Sequence, residues 1–288
     1  MEYSGLNKHK SRLHWLLMLM MIHILMVGQT QGDCIEEERK ALLQIKASHM
    51  KSYDSNLDHF LPTWVDYGSR TSGYDGGNCC DWERVKCNTT TGHVTELSFY
   101  NLRWVIDNNM EFGNKSWPLN VSLFLHFKEL SSLNLSHDFL DKETMKIGLE
   151  RLSSLKKLKV LDLSGNHDID NDIIPSLKTL TSVKILDLSD TSLNGNFPIK
   201  FVALKNLEVL DLSYCYFNGT FEIQGFETGS ILTKLKILNL GNNRFDESVI
   251  TSLSILSSLT NLDLSYNQMS GSFPAQGTCY DLTIYISS

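Results

Sequence analysis

The sequence predicts an α/β repeat fold: a right-handed solenoid with a parallel concave sheet, covered at its N-terminal end by a cysteine-bearing cap. Three observations support this prediction. A short leucine pattern recurs six times between residues 130 and 277, a cluster of cysteines precedes the repeats, and the chain opens with an apolar leader. Internal repeats of this length are typical of solenoids, in which each coil contacts only its neighbours.

The composition is that of a folded, acidic chain. The 288 residues are 42% hydrophobic and 20% charged, which is enough to build a core and argues against wholesale disorder. The formal net charge is -7 and no dense stripe of Lys and Arg is present, so nucleic acid is not an expected partner. With only five prolines, collagen-like and Pro-rich linker structures are also excluded.

Residues 1–32 have the organisation of a secretory signal peptide. Basic residues within the first twelve positions precede an uncharged run at 13–27, and cleavage is expected within 28–32. The run is shorter than the ~20 residues of a membrane helix, so an uncleaved signal anchor is only the alternative. We expect export to a compartment where disulfides form, and no membrane span in the mature chain.

Five Asn-x-Ser/Thr sequons follow this leader and predict N-glycosylation. They are Asn88, Asn114, Asn120, Asn134 and Asn218. A single triplet of this kind arises easily by chance, whereas five behind a signal peptide indicate a glycosylated secretory product.

The repeats occupy residues 130–277 and follow the pattern L-x-x-L-x-L-x-x-N. The copies begin 24 to 28 residues apart, at Leu130, Leu158, Val183, Leu207, Leu235 and Leu259, and a degenerate copy begins at Val94. The leucines of L-x-L alternate with an outward residue, as in a short strand with one buried face. Because one coil cannot bury its leucines alone, stacked coils form a parallel sheet, here a short arc of ~29 Å.

The segments between the strands carry a second pattern. Residues 193–198 and 269–274 fit L-x-G-x-x-P, and residues 217–221 fit it without the proline. In this they resemble the plant-type leucine-rich repeat, which implies a second short strand and a turn on the side of the coil. The last position of the main pattern is substituted in three copies, and Cys215 at this position is expected to be a buried, inert thiol.

Residues 33–92 are predicted to cap the first coil. Asp33 and Glu36 suit the N-cap and the third position of a helix over 33–52, whose apolar stripe is Leu42, Ile45 and Met50. The stretch 53–78 is rich in Gly, Ser, Asp and Tyr and is predicted to be a loop.

A set of cysteines and one tryptophan surrounds this helix and loop: Cys34, Cys79, Cys80, Trp82, Val85 and Cys87. They resemble the N-terminal cysteine cap of plant extracellular leucine-rich-repeat proteins, in which a cysteine before a helix is followed by C-C-x-W-x-G-V-x-C. Arg84 departs from that pattern where many members have Gly. The resemblance implies the bridges Cys34–Cys79 and Cys80–Cys87, and a four-cysteine zinc site is the alternative. Trp82 is expected to be an apolar plug between the cap and the first coil.

Leader, cap and repeats together resemble the start of the ectodomain of plant receptor-like proteins. Residues 93–129 hold the degenerate repeat and an insert like the one such receptors carry before their first full repeat. Residues 278–288 correspond to a truncated repeat stub, since the next repeat is expected near 283, and the role of Cys279 is open. The resemblance implies a secreted or apoplastic chain, a full-length parent in the plasma membrane, and a co-receptor kinase for that parent.

The function implied by the resemblance is recognition of an extracellular peptide, protein or glycan on the concave face, in cell-surface signalling or defence. The candidate contact residues are outward positions of the strands and of the turns after them: Asp162, Asp187, Asp190, Asp211, Tyr214, Asn242, Asp263 and Tyr266. This acidic, hydroxyl-rich strip with aromatic anchors suits a basic peptide or protein patch. The alternative is that the Asp and Ser positions are repeat consensus and keep the face soluble.

The sequence contains none of the motifs H-E-x-x-H, G-x-S-x-G, Walker A and G-x-G-x-x-G, so neither catalytic residues nor a cofactor or metal is expected. Two alternatives to a receptor module remain. One is a secreted protein similar to plant polygalacturonase inhibitors, which resemble the chain in cap and repeat type. The other is a truncated product without function.

Overall fold

The computed structural model describes residues 32–52, 60–66, 77–102, 117, 119–197, 201, 203–219, 232–253, 256–270 and 283–286. The predicted signal peptide up to Gln31 lies outside the described residues, as do Asn114 and Cys279. Among the described residues, no helix has both the length and the apolar character needed to cross a membrane.

Within the described part, nine strands form the main sheet. In spatial order they are β1 Val85–Cys87, β2 Val94–Ser98, β3 Ser132–Asn134, β4 Val160–Asp162, β5 Ile185–Asp187, β7 Val209–Asp211, β9 Ile237–Asn239, β10 Asn261–Asp263 and β11 Thr283–Tyr285. From β2 onward all neighbours are parallel, whereas β1 pairs antiparallel with β2. The repeat pattern predicted the strands from β2 to β10, and β1 and β11 extend the sheet at its two ends.

The repeat leucines align in one column across this sheet. At the central position of β2 to β10 the register joins Leu97, Leu133, Leu161, Leu186, Leu210, Leu238 and Leu262. None of these side chains is more than 2% exposed. Burying one leucine contributes about 1.5–3 kcal/mol, so the stacked coils are held together by a column that no coil could bury alone.

Four α-helices lie among the described residues, α1 Glu36–Ser52, α2 Lys142–Leu152, α3 Ile174–Leu177 and α4 Ser248–Leu253. The first belongs to the cap and the other three cross between strands of the solenoid. A second, two-stranded parallel sheet joins β6 Asn194–Gly195 to β8 Tyr216–Phe217. It confirms the second short strand in two of the three segments with the plant-type pattern. The third segment runs out of the described residues after Ser270.

Helix α1 begins at Glu36, so the predicted N-cap at Asp33 is wrong. The Cys34 N–H donates to Asn78 Oδ1 at 2.9 Å, and the Cys34 side chain is bonded to Cys79. These contacts hold the chain before residue 36 outside the helix. Glu36 instead lies in the first turn, where a negative charge is favoured by the helix dipole, and its carboxylate pairs with Arg39 at 2.8 Å.

The segment predicted as a loop supplies much of the cap core. Phe60 and Trp64 are each 1% exposed, and Trp64 stacks on Trp82 with ring centroids 5.6 Å apart. The Trp64 ring also meets Phe99, which follows β2, edge-on at 5.9 Å. Trp82 is buried as expected, and Trp64 packs between it and Phe99 of the first coil. Sequence reasoning missed it because these aromatic residues lie among Gly and Asp without any periodicity.

The insert joins the cap to the first coils. Trp117 forms a parallel bridge with Leu140, and a 3₁₀ turn at Val121–His126 lies against α2. Gly148 of α2 permits this approach, because a Cβ there would lie 2.3 Å from Val121 Cγ2. The Trp117 ring also covers His49 of α1 at 4.6 Å, and burial lowers the pKa of His49 to about 3. His49 is therefore a neutral core residue.

Two disulfides link the cap as the resemblance implied. Cys34 is bonded to Cys79 and Cys80 to Cys87, and each pair has its Cα atoms 5.4 Å apart, within the normal range for a bridge. The zinc alternative would require four free thiolates, whereas these four sulfurs are bonded in pairs. The bridges fasten the start of α1 and β1 to the same 3₁₀ turn at Cys79–Asp81.

The last described strand shows where the next coil continues. Ile284 of β11 aligns with Leu262 of β10, so the strand position recurs after 22 residues instead of the expected 24. Ile284 and Ile286 thus occupy the two leucine positions of L-x-L, and they remain 39% and 41% exposed. The tail residues therefore continue the sheet as another strand.

Candidate ligand-binding face

An acid column runs along the concave face at the outward position of each strand from β2 to β10. Its members are Ser98, Asn134, Asp162, Asp187, Asp211, Asn239 and Asp263. The predicted candidates Asp162, Asp187, Asp211 and Asp263 are therefore brought together in one row. Neighbouring members are separated by one strand spacing, ~4.8 Å.

One oxygen of each aspartate is already engaged within its own turn. Asp187 Oδ1 accepts hydrogen bonds from the Ser189 N–H at 2.9 Å and from the Ser189 hydroxyl at 2.7 Å. The pairs Asp162–Ser164 and Asp211–Ser213 repeat this arrangement. The Asp-x-Ser consensus thus closes the turn after each strand. For one oxygen of each carboxylate, this supports the alternative that the Asp and Ser positions are repeat consensus.

The second oxygen of Asp162 and of Asp211 accepts a hydrogen bond from a neighbouring member of the column. Asp162 Oδ2 accepts from Asn134 Nδ2 and Asp211 Oδ2 accepts from Asn239 Nδ2, both at 2.8 Å. Asp187 lies between these two acids. Desolvation, with the charges of Asp211 and Asp162, raises the pKa of Asp187, against the opposing hydrogen bonds from Ser189. Asp187 is therefore the acid of the column that has another acid on each side.

Replacing Asp187 with asparagine should stabilise the fold at neutral pH. Asn134 and Asn239 show that an amide fits this column, and D187N removes a desolvated charge between two others. A gain of about 1 kcal/mol would raise the unfolding midpoint by about 2–4 °C at pH 7. Because a carboxyl with a raised pKa takes up its proton more readily in the folded state, the wild type regains this stability as the pH falls.

Thermal unfolding of both proteins at pH 7 and pH 4 checks this prediction. The difference between D187N and the wild type should shrink at the lower pH. Asp263→Asn is the matched control, because its neighbours in the column are Asn239 and Tyr285, neither of them an acid. An equal gain at both pH values would contradict the electrostatic explanation.

A rim column follows the acid column three residues further along each coil. It consists of Asn101, His137, Gly165, Asp190, Tyr214, Asn242 and Tyr266, all with φ between 51° and 67°. The predicted candidates Asp190, Tyr214, Asn242 and Tyr266 are thus placed together at the edge of the face. Tyr214 and Tyr266 are 60% and 58% exposed. Since the coil of Asn242 lies between them, their backbones are two strand spacings apart, ~10 Å.

The positive φ at these positions has a cost that depends on the residue. Gly, Asn and Asp adopt the left-handed region with little strain, whereas a bulky side chain is uncommon there. Tyr214 and Tyr266 adopt this strained backbone conformation although their side chains remain exposed. The repeat sets the positive φ at every rim position, but it does not explain why two of these positions carry an exposed tyrosine.

An apolar column, which sequence reasoning did not identify, lies beside the acid column. It comprises Val160, Ile185, Val209 and Ile237, in register on adjacent strands. Ile185 and Ile237 are 39% and 42% exposed although both are β-branched and apolar. The sequence does contain a pattern that predicts this column, since four successive repeats place Val or Ile immediately before the first leucine of L-x-L.

The sequons in the described part have different surroundings. Asn88, Asn120 and Asn218 are exposed. Asn134 lies in the acid column with its amide nitrogen donating to Asp162, so a glycan there would stand on the concave face. Their glycosylation stays a prediction.

Cys215 is 4% exposed, and its thiol lies 3.4 Å from the Leu188 carbonyl oxygen, in hydrogen-bonding contact. Burial raises the pKa of Cys215, against the opposing hydrogen bonds from Thr191, which disfavours the reactive thiolate. The thiol is thus buried as expected.

Comparison with known families agrees with this architecture. Residues 35–88 match the family described as leucine rich repeat N-terminal domain, and residues 206–226, 234–256 and 258–277 match leucine rich repeat. Both lie where the structure has the disulfide-bonded cap and the repeat strands.

The relatives include receptor-like proteins of Arabidopsis thaliana. Receptor like protein 21 is 37% identical over an alignment of 238 residues that covers 78% of this chain and 22% of that protein. Receptor-like protein 13 is 35% identical over an alignment of 267 residues that covers 88% of this chain and 23% of that protein. The chain therefore spans less than a quarter of the length of these relatives.

A solved structure supports the fold. The Arabidopsis receptor kinase HAESA, in complex with the peptide hormone IDA and the co-receptor SERK1, is similar with a TM-score of 0.55 and 23% identity, over 83% of this chain and 39% of that one. At this identity the likeness shows the solenoid architecture. With the cap, the repeats and the relatives in agreement, the chain belongs to the plant leucine-rich-repeat receptor-like proteins.

Proposed function

We propose that the chain is the extracellular ligand-recognition part of a receptor-like protein and binds a peptide, protein or glycan on its concave face, in cell-surface signalling or defence. The observation that carries this proposal is the pair Tyr214 and Tyr266, both exposed and both at positive φ. Exposed aromatic side chains are effective binding anchors because they bury a large area at low entropic cost. Backbone strain retained at exposed residues is typical of functional positions.

The charges and apolar groups of the face favour a cationic, extended ligand. Asp162, Asp187 and Asp211 supply negative charge on three adjacent strands, and the exposed Ile185 and Ile237 flank them. A ligand lying along the solenoid would place basic groups over the acids and apolar groups against the apolar and rim columns. The solved structure of HAESA, which contains a peptide hormone and a co-receptor, supports both a peptide ligand and a co-receptor for the full-length form. That this co-receptor is a kinase is what the family resemblance implies.

An extracellular location of the chain is part of the same proposal. The leader, the two disulfides and the sequons suit the apoplast for this chain and the plasma membrane for a full-length receptor. The relatives are named receptor-like proteins, in keeping with this location.

A binding screen tests the proposal. The full chain, secreted from plant cells, is panned against a phage-displayed random peptide library and probed on a glycan array. Hits should bind the double variant Y214N/Y266N at least 10-fold more weakly, about 1.4 kcal/mol. The variant should melt no lower than the wild type, because Asn tolerates positive φ better than Tyr.

Tyr100→Asn is the matched control. Tyr100 is 50% exposed but lies after β2, four strands from Tyr214. Hits that lose affinity equally with Y100N would indicate non-specific adhesion to tyrosine. The proposal is rejected if no peptide or glycan depends on Tyr214 and Tyr266.

A further inference from the structure

The exposed edge of the second sheet brings an aromatic ring next to a sequon asparagine. Along β8 and into the next residue, Tyr216 is 50% exposed, Phe217 is fully buried and Asn218 is exposed. Since side chains alternate along an extended chain, Tyr216 and Asn218 point to the same solvent-facing side. The Asn218 N–H donates to the Gly195 carbonyl at 2.8 Å, which fixes its backbone to the neighbouring coil.

We propose that Asn218 carries an N-linked glycan whose first sugar packs on the ring of Tyr216. Asn218, Gly219 and Thr220 form the acceptor triplet, and the inference rests on the extracellular location proposed above. One face of a pyranose ring is lined with C–H groups. These groups are apolar and carry partial positive charge, so they are attracted to the negative face of an aromatic ring.

The Tyr216 ring is held in place before any sugar arrives. The Arg244 guanidinium lies over it, 5.1 Å from the ring centroid, and the Arg244 N–H donates to the Phe217 carbonyl at 2.8 Å. A ring fixed from the next coil loses little conformational entropy when a sugar binds. Half of the side chain still faces solvent and is available for contact.

The backbone that bears the proposed glycan at Asn218 is also constrained by the preceding coil. Gly219 has φ +75°, so the chain turns immediately after Asn218. A Cβ at this glycine would lie 2.5 Å from Asn196 Oδ1, which shows how closely the preceding coil approaches the turn. The Asn218 side chain thus leaves a backbone constrained on both sides, two residues from the ring.

The other described sequons lack this arrangement. Two residues before Asn88 is Lys86, and two residues before Asn120 is Pro118. Asn134 is preceded by Ser132 at that spacing, and its amide nitrogen donates to Asp162. Among the sequons of the described part, Asn218 alone follows an aromatic residue on its own face, so its glycan should contribute to stability where the others do not.

A double-mutant cycle on the full secreted chain tests the inference. The wild type, N218Q, Y216A and the double variant are compared by thermal unfolding, with site occupancy measured by mass spectrometry. N218Q should lower the midpoint by about 2–4 °C when Tyr216 is present and leave it unchanged in the Y216A background. Tyr216→Phe should behave like the wild type, because the ring is retained.

Asn88→Gln is the matched control, and its effect should not depend on Tyr216. An empty Asn218 with sugar present at Asn88 or Asn120 would overturn the inference while leaving the extracellular location intact. Absence of sugar at every sequon would overturn both. Equal losses from N218Q with and without Tyr216 would show that the sugar does not use the ring. If Y216A is not secreted, Tyr216→Leu takes its place in the cycle.

Discussion

Replacing Asn166 with alanine should lower the free energy of unfolding by about 4 kcal/mol or more. This side chain is fully buried and serves two coils at once. Its nitrogen donates to the carbonyls of Leu135 and Leu163 at 2.9 and 2.8 Å. Its oxygen accepts from the N–H groups of Asp138 and Leu140 at 3.2 and 3.1 Å. Alanine would leave these backbone groups buried without partners, at about 1–3 kcal/mol each.

Urea unfolding followed by circular dichroism measures this loss. Thr191→Ala is the matched control, because Thr191 occupies the same repeat position in the next coil and its hydroxyl donates to the Leu188 carbonyl at 2.7 Å. The Thr191→Ala variant should lose about 1 kcal/mol of unfolding free energy. Similar losses for both variants would show that the amide at Asn166 does not bridge the coils as its contacts indicate.

Removal of the Cys34–Cys79 bridge should cost about 4 kcal/mol, because its loop of 45 residues is long. The Cys80–Cys87 bridge closes only 7 residues and should cost about 2.4 kcal/mol. The first bridge also holds the start of α1 against the turn that bears Trp82. The double variant C34S/C79S should therefore lose the cap before it loses the repeats.

Chemical unfolding monitored by tryptophan fluorescence measures this order, because Trp64 and Trp82 both lie in the cap core. C80S/C87S is the matched control with the shorter loop. Cys215→Ser shows the effect of losing a thiol that forms no bridge. A larger loss from C80S/C87S than from C34S/C79S would contradict the loop-length explanation.

The repeat strands were predictable from local pattern alone. In L-x-L the period of two assigns one face to the core, and every copy agreed with the observed register. The cap was less predictable, because Phe60 and Trp64 follow no period and are buried only by partners distant in sequence, such as Phe99. The helix start was misplaced for a related reason, since Cys34 is constrained by Asn78 and Cys79 across the cap.

The candidate face also has features that the local pattern predicts and features that depend on contacts between coils. The sequence identified its members, and the structure placed them in two columns with different roles. All three acids accept hydrogen bonds from their own turns, but Asp162 and Asp211 also accept from Asn134 and Asn239, whereas Asp187 lies between two acids. That difference depends on which strands are neighbours, which no single repeat contains.

By itself, the sequence determined the repeat fold, the cysteine cap and the family, because each depends on residue spacing along the chain. Only the tertiary structure decided which groups carry strain or uncompensated charge. Tyr214 and Tyr266 are exposed at positions of positive φ, and the exposed Tyr216 ring is covered on one face by Arg244 of the next coil. These properties arise when coils stack and backbone directions are fixed, so they are set by contacts between repeats and not by the pattern within one.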